Sequence, residues 1–260
     1  MLIEAFDRVR LDGTGFDPIT EGEVVAVVRE AIAAGRGGRI VTPNIDILRQ
    51  ARRDPAVRTY LEDADLIVAD GMPLVWASRL SGTPLPERVA GSSLIRSLSA
   101  GLGRDGRSVF LIGGAPAHDG LAHGAARAAE RLAAECPGLR IAGTLCPEYG
   151  FETDIPAYDA MCSTVAAAQP DVVFVGLGFP KQETVVNRLR EVLPSAWYLG
   201  CGAAVNFVAG DVGRAPRWMQ RSGLEWAHRL GTEPRRLAGR YLKHDAPYAL
   251  KLLVQARRSA

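Results

Sequence analysis

The stretch Leu66-Ile67-Val68-Ala69-Asp70-Gly71-Met72-Pro73 decides how this chain reads. Its four apolar residues suit a short buried strand, which delivers a carboxylate and a glycine where the chain must turn. Pro73 fits the first turn of a following helix, expected to run from Pro73 to Leu80. Open α/β sheets carry their chemistry at the carboxyl ends of strands. Asp70 is therefore either a cap for that helix or a catalytic group.

Upstream, Thr20 with Glu23 forms a capping box ahead of Val24, Val27, Val28, Ala31 and Ile32, a helix that should end at Gly35. Arg39 to Thr42 predicts a strand, and Pro43-Asn44 breaks it into a helix bearing Ile45, Ile47, Leu48 and Ala51. Thr42 and Asn44 thus join Asp70 at strand ends. A second helix, Pro55 to Glu62, leads into the Asp70 strand.

Downstream the alternation repeats. Ser108 to Ile112 runs into Gly113-Gly114 and an Ala-rich helix expected over His118 to Glu135, followed by a strand from Arg140 to Thr144. Asp171 to Val175 runs into Gly176-Leu-Gly178 and a helix after Pro180. Ala196 to Leu199 runs into Gly200-Cys-Gly202. This order predicts an α/β fold, a Rossmann-like and mostly parallel sheet flanked by helices. From Asp211 the pattern becomes helical and basic. The expected division is a core over residues 1–210 and a helical appendage over 211–260.

The chain has 260 residues, 47% of them hydrophobic, enough for a sizeable core. Its net charge of +2 hides an asymmetry: from Asp211 onward there are 11 Lys/Arg against 4 Asp/Glu, so the remainder is acidic. An acidic body argues against nucleic acid, whereas a basic tail suits an anionic partner. Cys136, Cys146, Cys162 and Cys201 show neither disulfide nor zinc spacing, and the charged N-terminus lacks a signal-peptide core, so a cytoplasmic setting is expected.

Glycine pairs ending three strands suit phosphate oxygens at helix N-termini, which marks Gly113, Gly114, Gly178 and Gly202 as candidate diphosphate contacts. The dinucleotide fingerprint fails, because Lys181 and Val205 stand where the third glycine belongs. An NAD-dependent oxidoreductase is the rival enzyme class, and a sugar-nucleotide sensor the non-enzymatic one. Asp63-Ala-Asp65 spells a D-x-D, yet it precedes its strand, so no metal site is assigned. Arg88 stands in the Pro-rich loop Thr83 to Gly91. The tail interleaves Arg214, Arg217, Arg221, Arg229, Arg235, Arg236, Arg240 and Lys243 with Trp218, Trp226, Leu230, Leu237 and Tyr241. That mixture suits an anionic membrane surface or an arginine clamp on diphosphate.

Taken together, Thr42-Pro-Asn44, Val68-Ala-Asp-Gly71, Pro86-Glu-Arg-Val-Ala-Gly91, Gly113-Gly114, Pro180-Lys-Gln-Glu183, Ala209-Gly210, Arg214-Ala-Pro216 and Gly223-Leu-Glu-Trp226 resemble the WecG/TagA/CpsF glycosyltransferases, glycosyltransferase family 26. The resemblance runs from about Leu11 to Leu242. It implies an inverting transfer of N-acetylmannosamine, or a related sugar, from a UDP donor to a polyprenyl-diphosphate-linked sugar in teichoic acid or surface polysaccharide synthesis. Another UDP-hexose or a uronic acid donor fits the same frame. Asp70 matches the family's proposed base, and Thr42 and Asn44 match the lining of its pocket. Arg88 and Gln182 match substrate-holding residues, and Arg214, Arg217 and Arg221 match a tail that docks on the inner face of the plasma membrane. The resemblance implies neither cofactor nor metal, and it allows an oligomer. Asn206 departs from the pattern, which usually has aspartate there.

Overall fold

The computed structural model describes residues 7–216, 218–219 and 223–258. A hairpin of β1 (Val9–Leu11) and β2 (Thr14–Phe16) precedes α1 (Glu21–Ala33), which opens on the predicted Thr20–Glu23 capping box. Next come β3 (Gly38–Val41), α2 (Ile45–Ala51), α3 (Pro55–Glu62), β4 (Leu66–Ile67) and α4 (Met72–Leu80). The middle contains α5 (Gly91–Arg104), β5 (Ser108–Gly113), α6 (Gly124–Glu135), β6 (Arg140–Leu145), α7 (Ile155–Ala168), β7 (Val172–Gly176) and α8 (Lys181–Val192). The chain then forms β8 (Trp197–Gly200), α9 (Ala204–Ala209), α10 (Glu225–Thr232), α11 (Pro234–Arg240), a π-helical turn at Tyr241–Asp245, and α12 (Ala246–Arg258).

The main sheet has six strands in the order β4-β3-β8-β7-β5-β6, every pair parallel. Apart from the edge strand β6, whose residues are exposed or half-buried, its strands are largely apolar runs because both faces are covered. Ile40, Leu66, Leu111, Phe174 and Leu199 point to one face, into a core shared with α1, α5, α6 and α9. On the other face Val41 and Ile67 meet α2, α3 and α4, whereas Ile112, Val173 and Tyr198 meet α7 and α8.

This layering creates two places where neighbouring strands send their chains to opposite faces. After β5 the chain enters α6 on one face, and after the adjacent β7 it enters α8 on the other. β3 and β8 part in the same way, into α2 and α9. Their carboxyl ends splay at these switch points and leave crevices for ligands.

One local expectation needs correcting. The helix expected from His118 begins only at Gly124, because Asp119 and Gly120 turn in the left-handed region and His118 pairs with Leu121 across that turn. His123 instead caps the helix, its ring nitrogen accepting from the Ala126 N–H at 3.3 Å. At the other end of the chain, α12 packs back on the body. Tyr248, Leu252 and Ala256 recur at helical spacing and bury against α4 and the β1–β2 hairpin, and the Tyr248 hydroxyl donates to Asp12 at 2.5 Å.

Candidate active site

Asp70 stands just past the carboxyl end of β4, and two backbone contacts pin it. Its N–H donates to Pro43 O at 3.0 Å, and the Val89 N–H donates to Ala69 O at 2.9 Å, which lays the Arg88 loop alongside. The cap of α4 is Gly71, with no side-chain cap bond, so Asp70 is not spent on the helix. Its carboxyl group is pushed up to about 6. Burial is the main cause; Arg88 opposes it, Glu225 adds to it, and Arg229 and Arg214 oppose it.

Arg88 reaches this position through an ion pair with Glu225, Nη1 to Oε2 at 2.9 Å. The other carboxylate oxygen of Glu225 lies 3.5 Å from Arg214 Nε. Arg214 also donates to Ser92 O at 3.1 Å and Ser93 Oγ at 3.0 Å, in the first turn of α5. Residues far apart in sequence therefore close a ring of charge around one carboxyl group.

Thr42 is buried where β3 ends. The first residue of α5, Gly91, lies so close that a Cβ there would be 3.2 Å from Thr42 Oγ1 and 3.4 Å from the Cys201 Cα. The helix start of α5 is thus wedged into the β3–β8 crevice. Asn44, by contrast, caps α2: its Oδ1 accepts from the Ile47 N–H at 3.0 Å. Only its amide nitrogen is left over from that bond for a ligand.

Gln182 is buried behind the site. Its Oε1 accepts from the Gly202 N–H at 3.0 Å and its Nε2 donates to Glu183 Oε1 at 3.0 Å. The other oxygen of Glu183 accepts from Arg39 Nη2 at 2.6 Å. Both ends of the Gln182 amide are therefore engaged, the oxygen by the Gly202 turn and the nitrogen by Glu183.

Gly113 and Gly178 edge the β5–β7 crevice in different ways. At Gly113, with φ of 114°, an added Cβ would fall 2.4 Å from Gly176 O, whereas at Gly178 it would meet open space. Gly114 packs on the start of α6, where an added Cβ would fall 2.6 Å from the Ala125 N. Gly113 and Gly114 thus serve close packing, and Gly178 faces a gap. Arg217 and Arg221 lie outside the described residues. Asn206 has its Oδ1 buried without a hydrogen-bond donor among the described residues.

A family model described as the Glycosyl transferase WecG/TagA/CpsF family matches residues 9–260. The chain belongs to this family. The match continues past Leu242, where the motif resemblance stopped, and takes in α12. Membership in a glycosyltransferase family also sets aside the oxidoreductase alternative. Two relatives are named N-acetylglucosaminyldiphosphoundecaprenol N-acetyl-beta-D-mannosaminyltransferase. That of Bacillus spizizenii is 35% identical over 225 residues, covering 86% of this chain and 82% of the relative. That of Bacillus subtilis is 32% identical over 198 residues, covering 76% and 73%.

Within this family member, Glu225 is the residue acting on Asp70 that sequence reasoning missed, and Arg229, read only as one of the tail arginines, joins it. Glu225 lies inside Gly223-Leu-Glu-Trp226, a motif that pointed to the family without revealing which of its side chains faces Asp70.

Proposed function

We propose that this protein is an inverting, metal-independent hexosyltransferase that moves N-acetylmannosamine from a UDP donor to a polyprenyl-diphosphate-linked N-acetylglucosamine. The names of the two relatives support the sugar and the acceptor. The observation that carries the chemistry is a single carboxyl group, set at a strand end and raised to about 6, with arginines converging on it from three segments. At neutral pH Asp70 is charged, and it is a stronger base than an ordinary carboxylate. It takes the proton of the acceptor hydroxyl as that oxygen attacks the anomeric carbon, and the bond to UDP breaks on the opposite face. Arg88, Arg214 and the backbone N–H groups of the glycine turns meet the negative charge that develops on the diphosphate.

Metal independence is supported by the place of the D-x-D pair. Asp65 precedes β4, at the sheet edge away from Asp70, and its Oδ2 accepts from the Arg39 N–H at 2.8 Å.

The acceptor's lipid calls for a protein that meets a membrane surface, and we assign that role to the segment from Asp211 together with α4. Among the described residues no helix is long and apolar enough to cross a membrane. Neither α4 nor α12 contains an acidic residue. They expose Trp76, Leu80, Leu250 and Val254 beside Arg79, Lys251, Arg257 and Arg258. An apolar and cationic surface of this kind suits the anionic inner face of the plasma membrane, and α4 begins two residues after Asp70.

The test is UDP release in the presence of a short-chain polyprenyl-diphosphate-N-acetylglucosamine, screened across UDP-sugars. UDP-N-acetylmannosamine is expected to support release. Release with a different UDP-hexose would reassign the donor, and silence with every UDP-sugar would refute the proposal.

A further inference from the structure

Glu225 is the first residue of α10, yet its carboxylate bridges two arginines that come from elsewhere. Arg88 belongs to the loop before α5 and Arg214 to the loop after α9. The pairs are single contacts at 2.9 and 3.5 Å, one per carboxylate oxygen, rather than a two-pronged lock on either arginine. A guanidinium group has five N–H donors in a fixed plane. One contact fixes where that plane sits and leaves most of its donors for something else. Arg214 is fixed more tightly, since Ser92 O and Ser93 Oγ take its two terminal nitrogens. Two like charges brought this close repel one another, and the carboxylate between them is what allows both to face the same space.

We infer that Glu225 is a positioning residue for transfer: it holds the Arg88 and Arg214 guanidinium groups in the orientation in which they meet diphosphate beside Asp70. The inference rests on the glycosyl-transfer reading. It gives a carboxylate from the C-terminal segment a role inside the site, not merely at a surface. Among the described residues the charged groups that act on Asp70 are Arg88, Glu225, Arg229 and Arg214, and of these Glu225 is the only anion. Its removal leaves three cations around the base.

The decisive measurement uses the full chain and does not require turnover. The titration of Asp70 is followed by carbonyl-labelled NMR in the wild-type protein and in Glu225→Gln, with Asp70→Asn to assign the signal. In Glu225→Gln the Asp70 midpoint is expected to move down by roughly half a pH unit or more, because an anion is lost and the arginines are freed toward Asp70. The acid limb of kcat/KM should move in the same direction, with KM for the UDP-sugar donor rising about tenfold. An unmoved midpoint together with an unmoved KM makes Glu225 a simple tether and refutes the inference. If Glu225→Gln does not fold, Glu225→Asp serves in its place. It keeps the charge but is too short to span both arginines, so the UDP-sugar KM is expected to rise at an unchanged Asp70 midpoint, and an unchanged KM counts against the role. Failure of the transfer reading itself shows up elsewhere, as a wild-type protein that releases no UDP.

Discussion

Arg39–Glu183 and Arg88–Glu225 are the same pair of side chains in two settings. In the first, Arg39 Nη2 lies 2.6 Å from Glu183 and both side chains are 1% exposed. In the second, Arg88 Nη1 lies 2.9 Å from Glu225 and the side chains are 15% and 13% exposed. Around the closed pair the further contacts are to protein: Arg39 also donates to Asn187 at 2.8 Å, and Glu183 accepts from Gln182, while Arg39 Nε is buried without a partner among the described residues. Around the open pair, Asp70 and a crevice lie within reach of the charges. A pair stripped of water must keep its partner, because an orphaned charge there is very costly, so it serves to fix structure. A pair that retains some contact with water can trade a protein anion for a ligand anion. Access to solvent, not residue type, separates scaffold from site.

Several measurements can break or sharpen this contrast. The largest change is expected from Asp70→Asn, which should lower the transfer rate by about two to four decades while the protein still folds. The same substitution should stabilise the fold. Asp70 titrates near 3.9 when unfolded and at about 6 when folded, so the native state favours the protonated form. That contribution is complete below about pH 4 and is lost as pH rises through about 6. Asparagine cannot ionise, so its advantage grows across that window and reaches on the order of 3 kcal/mol above it. Denaturant titrations of both proteins at pH 4 and pH 8 check the sign; equal stability at both pH values would mean that Asp70 is not held in a desolvated setting.

Glu183→Ala should give the opposite signature, a loss of about 3–5 kcal/mol in stability from the stranded Arg39 charge. Urea unfolding reads it, and a loss under about 1 kcal/mol would erase the difference between the two pairs. Arg88→Gln is expected to raise the KM for substrate by about ten- to a hundredfold, from the loss of a charged hydrogen bond, with thermal stability nearly unchanged. A collapse of stability there would make Arg88 another scaffold residue. The smallest effect is expected from Tyr248→Phe, which removes the bond to Asp12 and should cost about 1 kcal/mol without changing the rate. A large drop in rate would show that the docking of α12 sets the geometry around Asp70.

The alternating strands and helices were legible in the sequence because each strand is a short apolar run ended by glycine, proline or a small polar residue. α5 was not, because Gly101 and Gly103 weaken its helical signal. Only packing explains them: a Cβ at Gly101 would meet Val25 at 2.5 Å, and one at Gly103 would meet Pro137 O at 2.8 Å. Within the candidate site Asp70 could be read from its place after a strand, and Arg88 from a motif. Gln182 could be read from a motif as well, but its bond with the Gly202 N–H is a contact that no spacing contains.

By itself the sequence determined the parallel α/β plan, the strand ends that bear glycine and aspartate, and the asymmetry between an acidic body and a basic tail. These follow from local periodicity and composition, which act over a few residues. Tertiary structure alone decided that Glu225 faces Arg88 from 137 residues away, that α12 returns onto α4, and that one arginine–glutamate pair is sealed while the other stays open. Such choices depend on which surfaces lose water together, and that is settled only when distant segments pack.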